Sequence, residues 1–164
     1  MAAAKARAGG ASMCFSESIV MRTSPEGAFA YLADPATAPV IDPAVISYTP
    51  DSLPMRAGTT NTIRVRMYGL PMTMVSRTLE WEEGRRMVLE SVRPSRPVAG
   101  RATHLFEPHP DGTRYTWSME MIPTGFGGRL MCRVMTWAMR RNARRQQLRF
   151  KHAVETPPPS GAAP

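Results

Sequence analysis

From Val45 to Ile122 apolar and polar residues tend to alternate, and only after Phe126 does the repeat lengthen to a helical one. Six segments carry the short period: VISYT, TNTIRVRMYG, MTMVSRTLEW, RMVLESV, RATHLFE and TRYTWSMEMI, set apart by punctuation such as Glu83-Gly84 and Pro110-Asp111-Gly112. In the second of them Ile63, Val65 and Met67 share one side while Arg64, Arg66 and Tyr68 share the other, the pattern of a half-buried antiparallel strand. Ahead of these, SESIVMRT reads as a strand. Ser24-Pro25-Glu26 then opens a helix, with a capping hydroxyl, proline in the first turn and an acid near the positive end of the dipole. That helix stops near Asp34-Pro35, because a residue before proline avoids the α region, and a second short helix or turn follows from Ala36 to Asp42. The order of strand, short helices, six strands and a long helix predicts an α+β layer with an antiparallel sheet of about seven strands.

The C-terminal helix is the most charged part of the chain. Residues 126–164 hold eight Lys or Arg against one acid, Glu155, or +7, and residues 1–125 hold thirteen against twelve, or +1. Projected at about 100° per residue, Leu130, Met131, Val134, Trp137 and Ala138 fall within an arc of about 120° and are the expected buried stripe. Arg129, Arg133, Arg140, Arg144 and Lys151 fall on the far side and are expected in water. Arg141, Arg145 and Arg149 share the angular range of Val134 and Ala138, so they either extend over apolar surface, pair with sheet carboxylates such as Glu80 or Glu90, or face inward towards an anionic ligand group.

At 164 residues and 43% hydrophobic composition the chain suits one domain, expected over residues 15–155. No window approaches the run of about 20 apolar residues that spans a bilayer. Residues 1–14 lack the apolar segment of a secretory signal and are expected to be a disordered leader; residues 156–164, with TPPPSGAAP, are expected to be a disordered tail. Cys14 and Cys132 lie far apart, as reduced thiols in a cytoplasmic protein would. His104, His109 and His152 show no metal-ligand spacing, and there is no phosphate-cradling glycine loop, so neither metal nor cofactor is expected.

Three phrases, SIVMRTSPEGAFAYLADP, SRTLEWEEGRRMVLES and HLFEPHPDGTRYTWSMEM, together with this element order, resemble the START-like polyketide cyclase and dehydrase superfamily of helix-grip proteins over about residues 15–155. Where members often carry a Trp-Pro pair after the first helix, this chain reads Ala38-Pro39-Val40. The resemblance implies a sheet wrapped around the last helix with an apolar cavity between them, and a hydrophobic small molecule, polyketide or lipid-like, as ligand. Strand parity then nominates the lining: Ile63, Val65 and Met67; Phe106 with Ala102 and His104; Tyr115, Trp117, Met119 and Met121. From the helix come Val134, Trp137 and Ala138, with Arg141 or Arg145 closing one end. Thirteen methionines suit an adaptable pocket, although the same residues would serve as plain core packing. His104 is the candidate general acid or base, with a satisfied core histidine as the plainer reading. Tyr31, Tyr68 and Tyr115 are candidate donors to a ligand carbonyl, and Arg77 lies where some cyclases carry basic residues.

Two function classes remain. One is enclosure of a hydrophobic molecule, with or without cofactor-independent cyclase or aromatase chemistry. The other is an interaction protein that meets an acidic partner or RNA through Arg129, Arg133, Arg140, Arg144 and Lys151. Docking on a membrane through the same helix is disfavoured at this level, because the core is expected to need the helix's apolar face.

Overall fold

The computed structural model describes residues 13–67, 69–92, 98–123 and 127–156. Strand β1 (Met13–Met21) leads into helix α1 (Pro25–Ala33), a 3-10 turn (Pro35–Thr37) and helix α2 (Ala38–Ile41). There follow β2 (Val45–Pro50), β3 (Thr60–Met67), β4 (Leu70–Glu82), β5 (Arg86–Ser91), β6 (Val98–His109), β7 (Gly112–Pro123) and helix α3 (Gly128–Glu155). The seven strands form one antiparallel sheet in the order β1-β7-β6-β5-β4-β3-β2. Every pairing but one joins neighbours in sequence; the exception sets β1 beside β7 and brings the two ends of the domain together. This is the helix-grip arrangement expected from the element order. Strand β1 begins at Met13, inside the span expected to be a leader. Residues 1–12 and 157–164 lie outside the described residues, as does Tyr68.

Local chemistry sets the boundaries. The Ser24 hydroxyl accepts from the Gly27 amide at 3.1 Å, Pro25 occupies the first turn of α1, and Asp34 before Pro35 ends it. The β6–β7 turn presses against the end of β1. Gly112 adopts φ +125°, and an added Cβ there would collide with the Met21 carbonyl, while the Thr113 hydroxyl donates to the Thr23 carbonyl at 2.6 Å.

Helix α3 does not bury the stripe that hydrophobicity nominates. Its buried residues are Gly128, Cys132, Thr136, Ala143, Gln147 and Phe150, an arc of about 100°. Leu130, Val134 and Trp137 are 69%, 45% and 63% exposed. The physical reason lies in β1, an edge strand whose backbone groups need partners. The helix supplies them: Gln147 Nε2 donates to the Glu17 carbonyl at 2.7 Å, Lys151 Nζ to the Val20 carbonyl at 2.7 Å, and an Arg140 guanidinium nitrogen to the Cys14 carbonyl at 3.1 Å. Glu155 accepts from the Arg22 amide at 2.7 Å. A helix so close to backbone presents mostly small or hydrogen-bonding residues there, with Phe150 entering the core near its end, and the bulky Leu130, Val134 and Trp137 turn outward. Arg140 and Lys151 are therefore engaged with β1 rather than standing in a free basic stripe. Arg141, Arg145 and Arg149 are exposed, and the two carboxylates proposed for them pair elsewhere: Glu80 with Arg86 and Glu90 with Arg101, each at 2.7 Å.

The core has two clusters. Met21, Ala28, Phe29, Met87, Phe106, Tyr115 and Phe150 form one, beneath α1 and the end of α3. Phe15, Met121, Cys132 and Ala143 form the other, and Trp117 packs against both. Gln146 Nε2 donates to Asp42 Oδ2 at 2.6 Å and ties α3 to the end of α2. No helix among the described residues is long and apolar enough to cross a membrane, and neither cysteine is in a disulfide.

Candidate functional site

The concave face of the sheet follows from parity and register. Phe15, Glu17, Ile19 and Met21 alternate along β1, and opposite them on β7 stand Met119, Trp117, Tyr115 and Thr113. On β6, Ala102, His104 and Phe106 are partnered with Met119, Trp117 and Tyr115. Further across, His104 pairs with Met87 of β5, while Ile63 and Val65 of β3 pair with Met74 and Met72 of β4. Helix α3 packs chiefly on β1 and β7. Away from it, Val65 is buried, Ile63 and Met72 are half-buried, and Met74 is exposed. The result is a methionine- and aromatic-rich surface covered at the β1–β7 side and more open towards β3 and β4.

His104 stands on this face. Its Nδ1 is 2.8 Å from the Tyr115 hydroxyl, and its ring lies nearly parallel to those of Tyr115 (17°) and Trp117 (9°) at centroid distances of 6.1 and 6.5 Å. Phe15 meets Trp117 edge-on at 5.4 Å. Desolvation disfavours charge on both members of the pair: it pulls the His104 pKa down to about 4 and raises that of Tyr115 above the ordinary phenol value. Near neutral pH the site therefore offers an uncharged imidazole and an uncharged phenol. With Nδ1 engaged by Tyr115, Nε2 is the nitrogen left to meet a ligand, donating or accepting according to tautomer.

The structure brings together Ala102, His104, Phe106, Tyr115, Trp117, Met119 and Met121, and extends the same face to Ile63 and Val65. Met67 ends β3; its side chain lies outside the described ones, as does Tyr68. Tyr31 is one contact removed: it packs on Phe150 at 6.1 Å, and Phe150 meets Tyr115 edge-on at 5.0 Å. Arg77 is not part of the site. It is exposed, and its register partner Glu90 lies on the outer face, ion-paired there with Arg101. Val134, Trp137, Arg141 and Arg145 point away from the sheet, and Ala138 is half-buried at the margin.

Two features escaped the sequence reading. The inward methionines of α3 are Met135 and Met139, which pack on the second cluster. With Met131 they recur every four residues, a helical signal that the bulkier Leu130, Val134 and Trp137 obscured. Glu17 is the other: it is the single acid in the inward row Phe15, Glu17, Ile19, Met21 and is the register partner of Trp117. A carboxylate interrupting an apolar alternation is the signal that would have found it. Across β7 it lies about two strand spacings, roughly 10 Å, from the His104 position. On the β3–β4 side Asn61 and Ser76 are register partners, and Asn61 Oδ1 and Ser76 Oγ are buried without a hydrogen-bond partner among the described residues. No group of three metal-ligating side chains gathers among the described residues.

The comparisons with known proteins agree with this architecture. The two-domain aromatase/cyclase StfQ of the steffimycin biosynthetic pathway superposes with a TM-score of 0.73 at 13% identity, over 88% of this chain and 51% of that one. The chain thus spans about half the length of that protein, and likewise of the two-domain aromatase/cyclase BexL. The Zhui aromatase/cyclase from a Streptomyces species gives a TM-score of 0.74 at 14% identity over 88% of this chain and 94% of that one. Ara h 8.0201 gives 0.67 at 11% identity, over 88% and 98%. At these identities the likeness is one of fold. No curated protein matches the sequence. The family model for polyketide cyclase/dehydrase and lipid transport matches residues 12–155, and the chain belongs to that family.

Proposed function

We propose that this protein binds an extended hydrophobic small molecule, polyketide- or lipid-like, against the concave face of its sheet beside α3. The observation that carries the reading is the His104–Tyr115 hydrogen bond beside Trp117, an uncharged polar pair on a largely apolar face. Such a surface orders an apolar chain by contact, while His104 Nε2 fixes the position of one ligand oxygen. Where the ligand is a reactive polyketone, the same nitrogen is placed to carry a proton between carbons or oxygens held in one folded geometry, and Glu17 is a second proton carrier further along the face. Membership of the cyclase/dehydrase and lipid transport family supports both carriage and catalysis.

Titration with an environment-sensitive apolar dye tests the reading. Saturable binding is expected, with Trp117→Ala weakening it about tenfold, as loss of roughly half a buried aromatic's contribution would. His104→Phe is expected to keep dye affinity while abolishing any preference for a carbonyl-bearing analogue. Dye binding that does not saturate, or is indifferent to Trp117, refutes the concave face as the site.

A further inference from the structure

We propose that the outward face of α3 docks onto an anionic lipid surface. Four large apolar residues lie exposed on it: Leu130, Val134, Trp137 and Leu148, at 69%, 45%, 63% and 51%. They fall within an arc of about 60° centred opposite the buried arc, along roughly 27 Å of helix. Scattered exposed apolar residues are ordinary in soluble proteins, but Leu130, Val134 and Trp137 lie within about two turns on one helix line that Leu148 extends. Arginines flank and interrupt it. Arg133 and Arg144 stand to one side, Arg145 and Arg149 to the other, and Arg141 lies within the row, its Cζ 5.7 Å from the centre of the Trp137 ring. All five are exposed. The one acid of α3, Glu155, is occupied by the Arg22 amide and by Lys151 at 3.5 Å.

An apolar strip bearing a tryptophan and bordered by arginines fits a surface that is anionic outside and apolar just beneath, which is the make-up of an acidic bilayer interface. A second copy fits poorly, because packing this face on itself sets arginine against arginine. RNA would use the guanidinium groups and leave Leu130, Val134 and Leu148 in water. The core makes no competing demand on the strip, since α3 buries Cys132, Thr136, Ala143, Gln147 and Phe150 instead.

Co-sedimentation with vesicles of phosphatidylcholine, alone and mixed with phosphatidylglycerol, tests the proposal. Binding is expected only to the mixed vesicles, falling as salt rises. The double variant Leu130→Ser, Trp137→Ser is expected to weaken it at least about tenfold. Both changes are on the exposed side, so circular dichroism and dye binding at the concave face should match the parent protein, which separates failure here from failure of the ligand site. No binding to the mixed vesicles overturns the proposal. So does binding that the double variant leaves intact, since charge alone would then account for it. A concentration-dependent dimer that the variant abolishes, or tighter binding to RNA than to the mixed vesicles, assigns the strip to another partner and equally overturns it.

Discussion

The Nδ1 of His104 lies 2.8 Å from the Tyr115 hydroxyl, and both groups are held where charge is disfavoured. Because the folded protein lowers the His104 pKa to about 4 from an unfolded value near 6.5, the unfolded chain binds the extra proton in between. The stability contributed by neutral His104 is therefore complete above about pH 6.5 and is lost as pH falls through about 4. His104→Gln is expected to flatten this part of the stability profile, read from urea midpoints between pH 7 and 4, and proton NMR of the parent should show one imidazole titrating near the lower limit.

Phe150 is 1% exposed and touches Tyr31 and Tyr115, whereas Leu130 is 69% exposed on the same helix. Phe150→Ala should cost about 3–5 kcal/mol, and Leu130→Ala should change stability by less than about 0.5 kcal/mol. Urea denaturation of the two variants checks the assignment of the helix faces, with the reverse ranking excluding it.

Gln147 is buried and donates to the Glu17 carbonyl of the edge strand. Gln147→Leu keeps the bulk but leaves that carbonyl without its donor, at a cost of about 1–3 kcal/mol. Hydrogen exchange of β1 amides should accelerate in the variant, while those of β3 and β4 should follow only the global stability.

Gly112 and Gly58 both have positive φ, +125° and +95°, but only at Gly112 would a Cβ run into backbone, the Met21 carbonyl. Gly58→Ala should cost about 1 kcal/mol, for the backbone conformation alone, and Gly112→Ala about 2–4 kcal/mol. Equal losses would mean that the β6–β7 turn does not press on β1.

The alternation of residues such as Ile63, Val65, Phe106, Tyr115 and Trp117 was enough to read the strands, their faces and the α+β order, because a strand's period of two is a local property that neighbouring sequence carries. Helix starts and stops at Ser24-Pro25 and Asp34-Pro35 were equally local. The rotation of α3 was not. Both sides of its first half are apolar, Leu130, Val134 and Trp137 on one and Met135 and Met139 on the other, so hydrophobic periodicity had no basis for choosing between them. The choice was made where α3 meets β1: Arg140, Gln147 and Lys151 donate to the carbonyls of Cys14, Glu17 and Val20, and these contacts hold that side of the helix against the strand. In the same way the approach of Glu17 to Trp117 depends on β1 returning to lie beside β7, a contact between residues about a hundred positions apart that no local pattern records.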